Sequence, residues 1–158
     1  MAAAVHRRPT LEDAPHLFEV RRRSILELAP SGMPVADAEA WARKLTPAGM
    51  EQKLREFEIW IAVLDDVVAG WGAIRGDVLE QLYTAPEYAG QGIGAALLDR
   101  LEALVRGRGI DAIHAEASSN AKAFYLRRGY RETGPPTPVG AWPITKQFLT
   151  SNQARESI

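Results

Sequence analysis

The stretch VLEQLYTAPEYAGQGIGAALL, residues 78–98, limits the fold more than any other part of the chain. Val78 to Thr84 has the content of a strand, Pro86 bends the chain, and glycines follow at positions 90, 92 and 94. Ile93, Ala96, Leu97, Leu101, Leu104 and Val105 then recur at helical spacing until Gly107 and Gly109 stop the pattern. A strand that turns through glycines into a helix aims unpaired N–H groups and the helix dipole at whatever occupies the loop. Such a loop selects an anion, and glycine lets the backbone reach phosphate oxygens without an intervening Cβ.

The flanking sequence places this unit in an alternating α/β chain. Val5 to Arg8 reads as a short strand, and Thr10 offers a cap to a helix with Glu12 and Asp13 in its first turn. Ala14, Leu17, Phe18, Ile25 and Leu28 fall on one face of that helix, joined by the stem of Arg21. Pro30 to Pro34 interrupts, Ala38, Trp41, Ala42 and Leu45 set a second helix, and Pro47 opens a third that ends near Phe57. The period then changes. Ile59 to Leu64 and Val67 to Ile74 flank Asp65-Asp66 as an antiparallel hairpin. After the glycine loop and its helix, Ile110 to Ala115 reads as a strand, and Ser119 or Asn120 caps a short helix through Arg128. Gly129 ends that helix, and Tyr130 to Thr133 and Ile144 to Leu149 read as final strands.

Size and charge exclude several classes. A chain of 158 residues suits one domain, which we place at residues 1–150 with a frayed tail at 151–158, and leaves no separate substrate domain. A formal net charge of -1 gives no basic field for nucleic acid or acidic membrane. There is no cysteine, and His6, His16 and His114 are too dispersed for a metal site, so no metal is expected. The first residues lack the apolar core of a signal peptide, and no segment approaches the ~18 apolar residues of a membrane span. A cytoplasmic location is therefore expected.

Two nucleotide chemistries fit the glycine loop. Taken as Gly90-x-Gly92-x-x-Ala95 it matches a dinucleotide fingerprint, with Glu116 about 20 residues downstream to meet a ribose hydroxyl. Against this, several residues including Pro86 separate strand from loop, and a hairpin precedes it where parallel βαβ units belong. The alternative is a pyrophosphate loop for coenzyme A. LYTAPEYAGQGIGAALL, residues 82–98, resembles motif A of the GNAT superfamily of N-acetyltransferases: a strand, a Pro-Glu bend, a glycine loop and an amphipathic helix. SSNAKAFYLRRGYRETG, from Ser118, resembles that family's motif B, with Asn120, Phe124, Tyr125, Gly129 and Tyr130 in their usual relative places. One departure is visible: the family's leading Arg or Gln falls on Ala89, which leaves backbone donors from Gln91 to Ala95 to hold the pyrophosphate.

The resemblance implies a mixed α/β fold, a mostly antiparallel sheet of six to seven strands flanked by four to five helices. It implies acetyl-coenzyme A as cosubstrate and a primary amine as acceptor. In that family the strand before the loop parts from the next and hydrogen-bonds the pantetheine arm, which here falls on Leu82, Tyr83 and Thr84. Gly90, Gln91, Gly92, Ile93, Gly94 and Ala95 become the pyrophosphate cradle, and Asn120 a second cofactor contact besides its capping role. A strand N–H near Leu82 is placed to stabilise the developing oxyanion. An alkylamine with a pKa of ~10.4 must lose a proton before it attacks, and Glu80 is the candidate base through a water. Tyr125 is the candidate acid for the departing thiolate. Arg106, Arg108, Lys122, Arg127 and Arg128 are cations available to the 3′-phosphate, though charge at helix ends is also a common solvated face. His114 is expected to pack on a strand, with a base role as the alternative. Trp41 lies in residues 21–45, which the resemblance assigns to the acceptor wall. No dense acidic patch marks that stretch, so a small amine or amino acid is the expected partner and a protein amine the alternative. A homodimer is compatible with the resemblance, and a coenzyme A sensor without turnover is the rival from a different class.

Overall fold

In the computed structural model, which describes residues 3–148, one sheet runs in the order β1-β2-β3-β4-β5-β7-β6. Its strands are β1 Val5–Arg7, β2 Glu58–Leu64, β3 Val67–Arg75, β4 Val78–Thr84, β5 Ala112–Ala117, β6 Arg131–Glu132 and β7 Trp142–Gln147. The helices are α1 Ala14–Leu28, α2 Val35–Ala42, α3 Pro47–Glu56, α4 Ile93–Gly107 and α5 Lys122–Arg127. Every neighbouring pair of strands is antiparallel except β4 with β5. This is the expected mixed, mostly antiparallel α/β sheet. Residues 149 and 150 of the expected domain, Leu149 of the expected last strand, and the tail at 151–158 lie outside the described residues.

Local chemistry explains the element boundaries. Asp65 and Asp66 take φ of 50° and 63°, the left-handed pair that a two-residue hairpin between right-twisted strands requires. Thr10 stands at the N-cap of the first turn as expected, in a capping box with Asp13. The Asp13 carboxylate reaches back to accept the Thr10 backbone N–H at 2.7 Å. Arg7 of β1 grips the same carboxylate at 2.9 and 3.0 Å and holds its pKa down to about 2. At α3 the expected arrangement is found, with Pro47 in the first turn and Thr46 Oγ1 accepting from Gly49 N–H. α5 has no side-chain cap: Asn120 Oδ1 instead accepts from Ser118 Oγ at 2.7 Å inside the preceding turn.

Two layers of helices cover the sheet. α1 and α3 bury Ala14, Leu17, Val20 and Met50 against Ile59, Ile61, Trp71 and Ala73, and the Trp71 indole donates to the Leu17 carbonyl at 2.9 Å. On the other face α4 buries Leu98, Leu101 and Val105 against Ile74, Leu79, Ile113 and Ile144, with Tyr125 of α5 in the same cluster. The expected core position Ala96 is exposed, and Leu98 and Glu102 are buried in its place. Glu102 is buried with its partners: it accepts from Tyr130 at 2.8 Å and from Lys146 at 2.7 Å.

Glycines on β3 set the depth of α4. A Cβ at Gly70 would lie 2.8 Å from the Tyr83 carbonyl oxygen and 3.0 Å from Ile93 Cγ2; one at Gly72 would lie 2.7 Å from Leu101 Cδ1. The helix therefore rests on bare backbone, which brings its N-terminus close to the end of β4. The irregular strand is β4. Ala73 pairs with Gln81 and Ile74 with Leu79, so Glu80 is an extra residue, and β4 bends at that bulge. Its parallel partner β5 stays in register only at Val78↔His114 and Leu79↔Ala115. From Glu80 to Thr84 the β5-side edge of β4 is unpaired, and a wedge opens between the strands.

Gly70→Ala and Gly72→Ala test this packing. Gly70→Ala meets a backbone carbonyl that cannot rotate away and should cost roughly 1–3 kcal/mol, whereas Gly72→Ala meets a leucine methyl that can, and should cost less. Denaturant unfolding of the two variants checks the order, and equal costs would refute the close-approach account.

Candidate functional site

Two cavities lie on either side of the wedge. The larger, about 1180 Å³, is bounded by α2 with the loop before it, by β4 and β5, and by the segment 133–145. The smaller, about 700 Å³, lies between the end of β4, the start of α4 and α5. Leu82, Ala121 and Tyr125 line both. The two spaces thus share one wall where the strands part.

The floor of the smaller cavity is the glycine loop. Gly90 and Gly92 have φ of 76° and 84°, and no atom lies near where either Cβ would stand. Glycine is required there by the left-handed backbone rather than by crowding. The first backbone bond of α4 runs from Ala96 N–H to Gly92 O, so the N–H groups of Ile93, Gly94 and Ala95 precede the helical ladder. All three residues line the cavity together with Leu82, Thr84, Gly90, Gly92 and Asn120. Two of the expected cofactor residues do not. Gln91 turns away, its N–H on Tyr88 O at 3.3 Å and its side-chain amide on Glu87 O at 3.2 Å, because residues 86–91 close consecutive tight turns. The Tyr83 side chain points to the opposite face, between Trp71 and Trp41, with ring centroids 5.3 and 6.4 Å away. Ala89 lines the cavity with a methyl group only, and Arg127 and Arg128 line it from the end of α5.

Tyr125 is 7% exposed, and its ring meets Phe124 and Tyr130 edge-on with centroids 5.2 and 5.3 Å apart. Burial raises its pKa, with a smaller push from Tyr83. The phenol therefore keeps its proton through the neutral range and can donate it. Glu80 lines the larger cavity, and its carboxylate meets Arg75 at 3.1 Å. Asp37 and Trp41 of α2 and Lys44 of the turn after it line that cavity, faced by His114 and Glu116 of β5. His114 is held between Thr145 Oγ1 at 2.8 Å and Asp77 at 3.5 Å. Glu116 projects into this larger cavity, away from the glycine loop, so it cannot meet a ribose beside that loop. That geometry and the mixed sheet remove the dinucleotide reading.

Several lining residues carried no clear signal in the sequence. A Cβ at Gly32 would lie 2.7 Å from Asn120 N and 2.8 Å from its Cα, so the loop before α2 touches the Ser118–Ala121 turn across the mouth of the wedge. Pro138 to Ala141 form an outer lip of the larger cavity, and the run PPTPVG was the available hint of an ordered functional loop. Among the described residues no group of three or more His, Asp or Glu is arranged to hold a metal ion, and no helix is long and apolar enough to cross a membrane.

Comparison with known proteins bears on this geometry. A family model described as an acetyltransferase (GNAT) domain matches residues 27–144. Over 82 residues the chain is 33% identical to the peptidyl-lysine N-acetyltransferase YjaB of Salmonella typhimurium, a match covering 51% of this chain and 55% of that protein. The match thus spans about half the length of that relative. Among solved structures, a GCN5-related N-acetyltransferase from Rhodopseudomonas palustris superposes with a TM-score of 0.87 at 28% identity, covering 94% of this chain and 98% of that one. A PaiA N-acetyltransferase from Thermoplasma acidophilum, solved with coenzyme A, shares the fold with a TM-score of 0.79 at 22% identity, over 93% of this chain and all of that one.

Gly32→Ala tests the bridge across the wedge. The added methyl would push the loop before α2 off Asn120, and acetyl-coenzyme A affinity, read by titration calorimetry, should fall roughly three- to tenfold with the fold intact. Unchanged affinity would mean that the contact does not shape the site.

Proposed function

This chain belongs to the GNAT acetyltransferase family, and we propose that it moves the acetyl group of acetyl-coenzyme A directly to a primary amine held in the larger cavity. The observation that carries the reading is the place of Tyr125, buried where the two cavities meet and where β4 and β5 part. The residues around the smaller cavity suit coenzyme A. The open edge of β4 at Leu82 to Thr84 offers strand-like hydrogen bonds to an amide-bearing arm, and the N–H groups of Ile93, Gly94 and Ala95 suit a pyrophosphate. Coenzyme A brings an activated thioester; the protein holds it, excludes water and moves protons.

Proton bookkeeping assigns the side chains. The acceptor arrives as an ammonium ion and must lose one proton before its lone pair can form the new C–N bond. Glu80 takes that proton through water, after the ammonium draws its carboxylate from the exposed Arg75. As the C–S bond breaks, the Tyr125 O–H supplies the proton that the sulfur needs. The nitrogen sheds a second proton as the amide forms, and this restores the phenol. A backbone N–H near Leu82 meets the oxygen on which charge accumulates.

The acceptor in this reading is a small amine or amino acid. Asp37 of α2 and Lys44 of the turn after it line one cavity and so offer opposite charges to a zwitterion. A protein amine is the second reading. It is favoured by the similarity to a peptidyl-lysine acetyltransferase and by a cavity rim that exposes Val139.

Titration calorimetry with acetyl-coenzyme A, with NAD as control, and an acceptor screen over amino acids, amines and lysine peptides test the reading. Tyr125→Phe should leave acetyl-coenzyme A affinity in place and lower kcat by about 10²–10⁴-fold. Turnover retained in that variant would remove Tyr125 from the chemistry, and cofactor binding without turnover on any acceptor would favour a sensor. Glu80→Gln should cost less as the pH rises toward the acceptor's own pKa, because solvent then supplies the neutral amine. A loss independent of pH would exclude Glu80 as the base.

A further inference from the structure

The buried face of α1 carries one charge. Ala14, Leu17, Val20 and Ile25 fill that face with apolar groups, and Arg21 stands among them, 4% exposed. A cation taken out of water ordinarily has a carboxylate beside it. Among the described residues Arg21 pairs with none, and its partners are main-chain carbonyls of another helix. Nη1 donates to Ala42 O at 3.1 Å and Nη2 to Trp41 O at 3.2 Å. Trp41 and Ala42 are the last residues of α2, where carbonyls run out of helical donors and the dipole favours a cation. One planar fork thus grips the end of α2 from behind.

The same guanidinium reaches the aromatic pair in the wall of the larger cavity. Its Cζ lies 5.9 Å from the centre of the Tyr83 ring, and that ring is 6.4 Å from Trp41. Trp41 and Tyr83 line the cavity and Arg21 does not. Arg21 therefore holds the backbone of one lining aromatic and the ring of the other without facing the space they enclose. Packing does not explain an arginine at this position. A methionine would fill the same face, and replacing a buried charge by an apolar group of similar volume is often neutral or stabilising. The arginine even leaves its Nε buried without a partner, which costs stability. What a methionine lacks is the grip on α2.

We propose that Arg21 is a positioning residue for the acceptor amine: from behind the wall it fixes the end of α2 and the Trp41 and Tyr83 rings, and with them the acceptor side of the larger cavity. The inference rests on the reading above, in which the acceptor occupies that cavity. α2 has eight residues, and a helix that short does not hold its own shape or place without tertiary contacts. The glycine loop and Tyr125 belong to other elements and keep their places when the grip is lost. The loss therefore falls on acceptor binding rather than on cofactor binding or on the chemical step.

Two measurements test this, one of which needs no acceptor. Fluorine NMR of protein labelled with fluorotryptophan follows Trp41, with Trp41→Phe to assign its signal. Arg21→Met should move the Trp41 signal and leave those of Trp60 and Trp142 in place. Steady-state kinetics with n-butylamine, L-lysine and a lysine peptide then read the acceptor, and titration calorimetry reads acetyl-coenzyme A. Arg21→Met should raise the acceptor KM about tenfold or more, the value of one hydrogen bond from a charged group, with kcat and acetyl-coenzyme A affinity unchanged. Arg21→Lys keeps the charge without the fork and should give a smaller rise in the same parameter; it stands in if the methionine variant does not fold. Val20→Ala, a cavity on the buried face of the same helix, lowers stability and should leave KM alone. An unmoved Trp41 signal, an unchanged KM in Arg21→Met, or losses shared by KM, kcat and cofactor affinity overturn the proposal. A KM rise in Val20→Ala also overturns it, because the effect would then belong to α1 packing in general. Wild-type protein that binds acetyl-coenzyme A and acetylates none of the three amines would instead sink the acetyl-transfer reading, and the acceptor role of Arg21 with it.

Discussion

The parting of β4 from β5 is the constraint on which the rest of the molecule depends. Parallel neighbours that stayed in register along their length would leave no edge, no wedge and no communication between the two cavities. The cause is local. One extra residue at Glu80 bends β4, and ladder bonds to β5 end where the bend begins. Backbone groups beyond that point are left without a strand partner, an arrangement that a folded protein keeps only where something else satisfies them. The bulge that opens the strand is also a residue that lines the larger cavity, so strand geometry and proposed proton chemistry share one position.

Two further arrangements hold the wedge open at a fixed width. α4 sits on Gly70 and Gly72, which fixes the height of its first turn above the end of β4. At its other end, Glu102 on the same helix binds Tyr130 and Lys146, fastening it to β7 and to the chain just after α5. Loss of one partner from this set would leave a charge buried alone, which costs far more than the set contributes when complete. Burial and the neighbouring Glu102 carboxylate both raise the Tyr130 pKa, so that phenol stays a donor to the carboxylate throughout the neutral range. The wedge is thus held by apolar close packing on one side of the helix and by a closed polar set on the other.

Much of this was legible in the sequence because it is written locally. The aspartate pair at 65 and 66, the change of period after Phe57 and the glycine loop before α4 each depend on a few adjacent residues, and element order follows from them. Which wall a side chain faces is a different kind of information. Glu116 has the spacing of a ribose contact but lies on the far side of the strand, and Tyr83 sits between two residues that face α4 while its own ring packs with Trp71. Gln91 is a donor by type and is used up by the turns that precede it. Gly32 matters only because Asn120, distant in sequence, rests where its Cβ would be. Such facts arise from the bulge and from long-range approach, and neither has a short-range signature.

The larger cavity's charges bear on how an acceptor would enter and leave. Asp37 and Glu116 look into it from opposite walls, and among the described residues neither has an ion-pair partner. Lys44 supplies positive charge on one wall only, and His114 is held by Thr145 and Asp77. An amine that arrives protonated is therefore drawn toward carboxylates, and on the proposed reading it must displace the exposed Arg75 from Glu80 before it gives up its proton. An amide has no such charge. On the same proposed reading, acetylation would remove the attraction that brought the acceptor in, so the carboxylates that gather the substrate would have no hold on the product, and Arg75 would return to Glu80 as the product leaves.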